Sequence, residues 1–391
     1  MTPEFFLPDP VGRDPFDALR GTRVPGFVRS SPRLRQYAIQ LRKRVPVEVG
    51  GLLGVQPFAM AKTVGSLLWA EARVQSLGHP PLPARAQRLY EQLERCEGRA
   101  GDGGWGYEFD VQTRWGYYPA GSPNLIATAF VGRGLMAAGL VFGQSDWLDE
   151  GIRSAQFVAE KLLRTDSAGR PAFFYTLDTE RLIHNANLLG CALVASAARL
   201  SQDTGLLEAA VRAAEVSLDA QTHDGSWPYG DTPALSWVDS FHTAYVLDGL
   251  LQLWLATDSE VTGAALQCGA AFWESRFFGS QGEPSYYAGG SYPYDIHSAA
   301  TACDVGFRLA TWGLLSPKTP ERVAEWTARN LVDPATGGTY YRKNGWFTDK
   351  RSFARWGDAH WALARASQLV HGSGGQDPAE QALRPTGGPA A

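Results

Sequence analysis

The chain lacks the features that mark several protein classes. Its four cysteines, Cys96, Cys191, Cys268 and Cys303, are scattered and match no CxxC spacing, which argues against a disulfide framework and leaves them as reduced core thiols. Neither sign of charge dominates. There are 36 basic and 40 acidic residues, a formal net charge of -4, and no long run of one sign. Nucleic acid and anionic membrane surfaces therefore have no electrostatic support as partners. The first residues, MTPEFFLPDPVGRDPF, have neither the basic nor the apolar region of a signal peptide, and no uninterrupted apolar run approaches bilayer length. A soluble, cytoplasmic protein without membrane insertion is expected. G-x-S-x-G elbows and GK[ST] phosphate loops are missing too, so serine nucleophiles and nucleotide-sugar binding are not indicated and no cofactor is expected.

What the chain does have is aromatic residues and repetition. Aromatics make up 12% of the residues, including 13 tryptophans, and many fall in loops. Five apolar segments with polar heads recur: PNLIATAFVGRGLMAAGLV from Pro123, HNANLLGCALVASAARL from His184, DSFHTAYVLDGLLQLWL from Asp239, DIHSAATACDVGFRLATWGLL from Asp295 and RWGDAHWALARASQLV from Arg355. They are separated by roughly 55 to 60 residues, the length of a helical hairpin with its loop. One period earlier lies a sixth, around Phe58 to Val74. Amphipathic segments such as SDWLDEGIRSAQFVAEKLL and TPERVAEWTARNLV alternate with them, as helices with one face in solvent should. This predicts an all-α (α/α)6 toroid over residues 51–371, its apolar helices inside and its amphipathic helices outside. Residues 1–50 read as an extension with one basic helix, SPRLRQYAIQLRKR, and residues 372–391 as a tail of disordered composition. Neither terminus is expected to carry chemistry.

In such a ring the heads of the inner helices converge on one mouth. Asn124, His184, Asn187, Asp239, His242, Asp295, His297 and Arg355 are thereby predicted to face a common cavity. Asp239 and His242 are spaced i, i+3 on one helix face. Asp295 and His297 recur one period later, and His184 and His360 occupy related positions. For any one of these pairs the plain alternative is a carboxylate complementing the helix dipole beside a satisfied core histidine. The loop GDGGWGYEFDVQTRWGYYPAG adds Trp105, Tyr107, Asp110, Arg114 and Trp115, flat rings beside charged groups, as a sugar site needs.

Two resemblances follow from these blocks. QTHDGSW, Gln221 to Trp227, fits the Q-x-x-x-G-x-W pattern of squalene/hopene cyclases, in which the Gln caps an outer helix and the Trp packs over it. The D-x-D-D acid of those enzymes is absent from the chain. DWLDE only superficially resembles a metal-binding D-x-x-D, and Ser145 before it reads as a helix cap. From about Pro46 to Leu369, the blocks WGYEFDVQTRWGYYPAGSPNLIATAF, HNANLLG, WVDSFHTAY, YPYDIHSAA and RWGDAHW resemble the VpsJ-like bacterial polysaccharide biosynthesis proteins. That resemblance implies a sugar-polymer context and supplies no catalytic residue.

The expected function is accordingly a carbohydrate-active protein acting on a glycosidic bond of an oligosaccharide or polysaccharide, with Asp110 and Asp239 as acid and base. His242, Asp295 and His297 are their partners or alternative proton carriers. Trp105, Tyr107, Trp115, Trp227 and Trp356 provide walls, and Arg114, His184, Asn187 and Arg355 provide polar contacts. One alternative is a histidine-based epimerase or lyase; another is a non-catalytic binding or scaffold protein. A terpenoid cyclase or prenyltransferase-like enzyme is disfavoured, as is a zinc site built from Asp295, His297, Cys303 or His242. Partner proteins are not legible.

Overall fold

The computed structural model describes residues 7–78, 83–114 and 116–385. A helix at Pro32–Arg44 (α1) precedes six hairpin inner helices: Ala61–Gln75 (α2), Leu125–Phe142 (α4), His184–Ser201 (α6), Ser240–Thr257 (α8), Ile296–Thr311 (α10) and Ala359–Gly372 (α12). Each of the first five is followed by an outer helix: Pro83–Glu94 (α3), Ser145–Phe157 (α5), Thr204–Leu218 (α7), Glu260–Phe277 (α9) and Lys318–Leu331 (α11). Consecutive inner helices pack side by side and α12 returns to α2, closing the ring. This is the expected (α/α)6 toroid, with five full outer helices among the described residues. Short antiparallel pairings tie the connecting loops together, among them Val111–Gln112 with Tyr117–Tyr118 and Tyr294–Asp295 with Arg342–Lys343.

The inner helices are buried all round because both of their faces meet other helices. Glycine sets their spacing where they come closest. A Cβ on Gly65 of α2 would lie 2.7 Å from the Val131 Cα, and one on Gly134 of α4 only 2.1 Å from the Gly65 carbonyl oxygen. Leu125–Phe142 has the length and hydropathy of a membrane span, although Arg133 interrupts its apolar run. It is the core wall of the ring, and Arg133 within it pairs with Asp248.

Indole nitrogens pin the outer layer to the inner. Trp227 Nε1 donates to the Ser217 carbonyl at 2.7 Å, Trp105 Nε1 to Ser154 Oγ at 3.2 Å, and Trp273 Nε1 to Ser240. Gln221 donates to the carbonyls of Gly225 and of Ala265 in the next outer helix. The Q-x-x-x-G-x-W stretch thus laces neighbouring hairpins. Ser145 opens α5 as its first residue, and no side chain caps that helix. All four cysteines are free thiols; Cys268, on the outer α9, is exposed, unlike the core position expected for it.

Both termini are more deeply involved than their composition suggests. Asp14 grips Arg355 through two hydrogen bonds of 2.7 and 2.9 Å. The last carbonyls of α1, on Arg42 and Lys43, accept from Arg351 and Arg342, cations suited to the negative end of a helix. At the opposite end of the ring, Asp377 takes Arg73 and Glu380 takes Arg308. Residues 377–380 therefore belong to the body of the protein, where a disordered tail was expected. With Arg133, Asp248 and Asp304, these side chains form a buried ionic floor around Trp69 that closes the bore.

Candidate functional site

The inner helices begin on a shared level, and the first turns alternate in what they face. Three heads are occupied by N-caps. Asn124 Oδ1 accepts the Ala127 amide, Asp239 Oδ1 the His242 amide at 3.0 Å, and Asp295 Oδ1 the His297 amide at 2.9 Å. These oxygens satisfy amides that have no partner inside the helix. The residue two places after the cap then points into the bore: Lys62, Ile126, Asn185, Phe241 and His297 are each the second residue of their helix, and all five line one cavity. The sixth such residue, His360, packs edge-on to His297 with ring centroids 4.2 Å apart.

The cavity measures about 280 Å³. Its walls are rings: Tyr107, Phe109, Tyr175, Tyr229, Tyr286 and Trp356. Its charged lining consists of Lys43, Lys62 and Arg355, with no aspartate or glutamate among the described residues that line it. Phe16 and Lys43 come from the N-terminal segment, which thus completes the opening. Through Val111, Thr113, Tyr175, Ile183 and Tyr229 the cavity runs into an outer cleft of about 520 Å³ whose walls carry Asp178, Glu180 and Arg181.

His242 is the imidazole best placed to act. Its Nδ1 lies 2.6 Å from Asp239 Oδ2, which also accepts from Trp237 Nε1 at 3.2 Å. An ionised carboxylate can only accept, so this contact puts the ring proton on Nδ1 and leaves the Nε2 lone pair free. Tyr229 and Phe241 hold the ring at centroid distances of 4.5 and 3.8 Å. The His242 side chain is 21% exposed against 1% for Asp239. The imidazole faces the cavity and the carboxylate stands behind it.

His297 is placed differently. Its Nδ1 faces the Trp356 carbonyl at 2.9 Å and so must donate; its Nε2 accepts from the Tyr245 hydroxyl at 2.9 Å. Both ring nitrogens are used, and burial, with Lys62 nearby, holds its pKa well below the usual histidine range. It is a neutral, satisfied wall residue. Asp295 caps α10 and accepts from Trp356 Nε1 at 2.8 Å, and burial raises its pKa. The plain reading of this pair, a capping carboxylate beside a core histidine, describes it.

Several other expected site residues are directed elsewhere. Asp110 accepts the Ala120 amide at 2.9 Å and does not line the cavity; the structure does not pair it with Asp239. His184 turns outward to Ser217 Oγ at 3.0 Å, and burial lowers its pKa to about 4. Asn187 bonds Ala213 and Ser217 of α7 and the Phe173 amide. Trp105 and Trp227 are interlayer pins, and Arg114 is exposed. Trp115 lies outside the described residues. Tyr107, Arg355 and Trp356 do line the cavity. Cys303 is fully buried within α10 and does not line the cavity that His242 and His297 face, so the residues weighed as a zinc set are not assembled there. No group of three or more metal-ligating side chains occurs among the described residues.

Lys62 was missed by sequence reasoning. It is 3% exposed and has no hydrogen-bond or ion-pair partner among the described residues; its Nζ stands 4.2 Å over the Phe130 ring. Burial, with Arg355 adding to it, holds its pKa well below the usual lysine value. Aligning the six helix heads by position would have singled it out, since it occupies the same place as Asn185 and His297.

No family model matches the chain, and no curated protein matches it either. Solved structures do. A cellobiose 2-epimerase from Bacillus thermoamylovorans is 12% identical, with a TM-score of 0.60 over 79% of this chain and 88% of that one. A sugar epimerase from a ruminal bacterium is 13% identical, with a TM-score of 0.62 over 81% and 88%. An alpha-mannanase from Bacteroides thetaiotaomicron is 13% identical, with a TM-score of 0.59 over 81% and 87%. The chain shares with them the (α/α)6 toroid fold.

Proposed function

We propose that the protein is a carbohydrate-active enzyme that moves a carbon-bound proton, an epimerase, isomerase or lyase, with His242 as the base and Asp239 as the residue that positions it. One observation carries this reading: the cavity presents an imidazole backed by a buried carboxylate 2.6 Å away, and no carboxylate of its own. Glycosidic hydrolysis by two carboxyl groups would need both to reach the sugar. Asp110 and Asp239 are spent on backbone amides and on His242, so the hydrolase reading has less support than the histidine-based one.

In the proposed step His242 Nε2 takes a proton from a carbon next to a carbonyl or carboxyl group. The electron pair left behind moves onto that group's oxygen, and Asp239 stabilises the imidazolium formed. Lys62 and Arg355 oppose the growing negative charge. The buried hydroxyls of Tyr107, Tyr175 and Tyr286 have pKa values pushed upward by burial, so they stay protonated and serve as donors. Return of a proton to carbon completes an epimerisation or isomerisation; loss of an oxygen leaving group completes an elimination.

The walls suit a pyranose, whose C–H faces pack on rings. Arg355 and two amines, with no carboxylate beside them among the described lining residues, are the wrong electrostatics for a carbocation, which weighs against a terpenoid cyclase. The resemblance to VpsJ-like proteins supports a substrate from bacterial polysaccharide or glycoconjugate assembly, handled in the cytoplasm.

The test is solvent exchange. The protein is incubated in D2O with a panel of aldoses, uronic acids and their oligomers, and deuterium on carbon is followed by NMR. Incorporation, or unsaturated product, that disappears in His242→Ala supports the reading. New reducing ends without C–D formation would restore the hydrolase; saturable binding with neither would make the protein a recognition module.

A further inference from the structure

We propose that the cavity selects an acidic sugar, a uronic acid, whose carboxylate is held by Lys62 at the cavity wall with Lys43 at the opening. The inference rests on the carbohydrate reading above and names the substrate class of that same site.

The argument begins from Lys62. A buried ammonium group normally has an anionic partner, because transfer from water without one is strongly unfavourable. Three other buried cations in this molecule obey that rule: Arg355 has Asp14, Arg73 has Asp304 and Asp377, and Arg133 has Asp248. Lys62 does not. Around it stand Phe130, Tyr245, His297 and His360, and the Arg355 guanidinium repels its charge. The nearest carboxylate that acts on it is Asp14, and both of its oxygens are engaged by Arg355.

A second polar group in the lining is also unsatisfied. Asn185 is 5% exposed, and its Oδ1 has no hydrogen-bond partner. Lys43, half-buried at the opening, has its Nζ 4.1 Å over the Phe16 ring, and burial lowers its pKa to about 8. A donor of positive charge and a free amide in an aromatic cage match a carboxylate and a hydroxyl on one pyranose ring. A neutral sugar would leave Lys62 as it is; a uronate supplies the missing anion, and ligand binding restores the charge on the amine.

The chemistry of the base agrees. Proton abstraction by His242 becomes easier next to a carboxylate whose charge is neutralised, because the electron pair can then pass onto its oxygens. Lys62 thus binds the group and also draws the electrons.

Calorimetry with the full chain tests this. Glucuronate, galacturonate and mannuronate are titrated against glucose, galactose and mannose, with wild type, Lys62→Met and Lys43→Ala. A charge-assisted contact predicts about 10- to 100-fold tighter binding of the matching uronate than of its neutral hexose. Lys62→Met should abolish that preference while still binding the neutral sugar, and Lys43→Ala should weaken it. Melting curves establish that each variant is folded; if Lys62→Met does not fold, a weakened preference in Lys43→Ala is the deciding result and an unchanged one overturns the assignment. Equal binding of acidic and neutral sugars, preference retained in a folded Lys62→Met, or tighter binding of a hexose phosphate than of any uronate would overturn the assignment while the carbohydrate reading stands. Failure of every sugar to bind would overturn both.

Discussion

Asp239 serves His242 twice: its Oδ1 accepts the histidine's own backbone amide at 3.0 Å and its Oδ2 takes the ring Nδ1 at 2.6 Å. One carboxylate therefore starts α8 and aims the imidazole that α8 carries. Asp239→Asn keeps a capping oxygen but cannot stabilise an imidazolium as a carboxylate does. Proton exchange at carbon should fall by roughly 10²–10⁴-fold with little change in melting temperature. Asp239→Ala should lose the same activity and, in addition, about 1 kcal/mol of stability for the missing cap. Nitrogen-15 chemical shifts of His242 give the direct check: a proton fixed on Nδ1 in wild type, and a mixture of tautomers in Asp239→Ala.

The histidines make the fold sensitive to acid. Burial holds His184 at about 4 in the native state, against an ordinary value near 6.5 in the unfolded chain. Above pH 6.5 both states carry it neutral and its contribution is complete. Below that the unfolded chain binds a proton that the native state refuses, so stability falls as pH falls toward 4. The loss from this residue is about 3 kcal/mol, and His297 and His360 act in the same direction. Urea unfolding at pH 7 and pH 4.5 measures it, and His184→Gln should flatten the dependence.

Lys62→Met should raise the stability of the free protein. The amine is buried without a partner, and an apolar side chain of similar length removes that cost, a gain of about 1–3 kcal/mol. A rise in melting temperature together with loss of the preference for uronates would mark the residue as kept for its ligand. A fall would mean the amine is satisfied in solution.

The ionic floor predicts a severe effect from a small change. Asp377→Ala strips the acceptor from Trp69 Nε1 and one of the two carboxylates from Arg73, leaving Asp304 to hold the guanidinium alone. Losing a buried charge-assisted hydrogen bond and leaving an indole N–H unpaired costs about 2–4 kcal/mol. Ending the chain before residue 377 should be at least as damaging, since Glu380 leaves Arg308 as well. Denaturant midpoints of the two variants test this.

The architecture was legible in the sequence because it is written in periodicity: polar-headed apolar segments at a hairpin repeat define the inner helices, and α6, α8 and α10 begin within a residue of the heads read from the chain. The roles of the heads were not legible. Successive residues of a helix turn by about 100°, so His184 meets the outer layer while Asn185 meets the bore, and nothing in the local pattern distinguishes them. Asp295 and Asp239 look alike in sequence, yet the imidazole beside one is exhausted by Trp356 and Tyr245 and the other keeps a free nitrogen. The contribution of the N-terminal segment rests on contacts such as Asp14 to Arg355, 341 residues apart, which leave no local signal. Lys62 sat in a run read only as helix.

The ionic floor has a consequence for traffic as well as for stability. With Arg73, Arg133, Asp248, Asp304 and Arg308 filling one end of the ring, the bore is, among the described residues, a well closed at that end and continuous with the cleft beside Tyr117 and Tyr118. A polymer cannot be threaded through such a floor. Under the proposed function a glycan would therefore enter terminus first, with the remainder lying along the cleft, so the unit presented to His242 would be the last one of its chain and its product would leave by the route of entry.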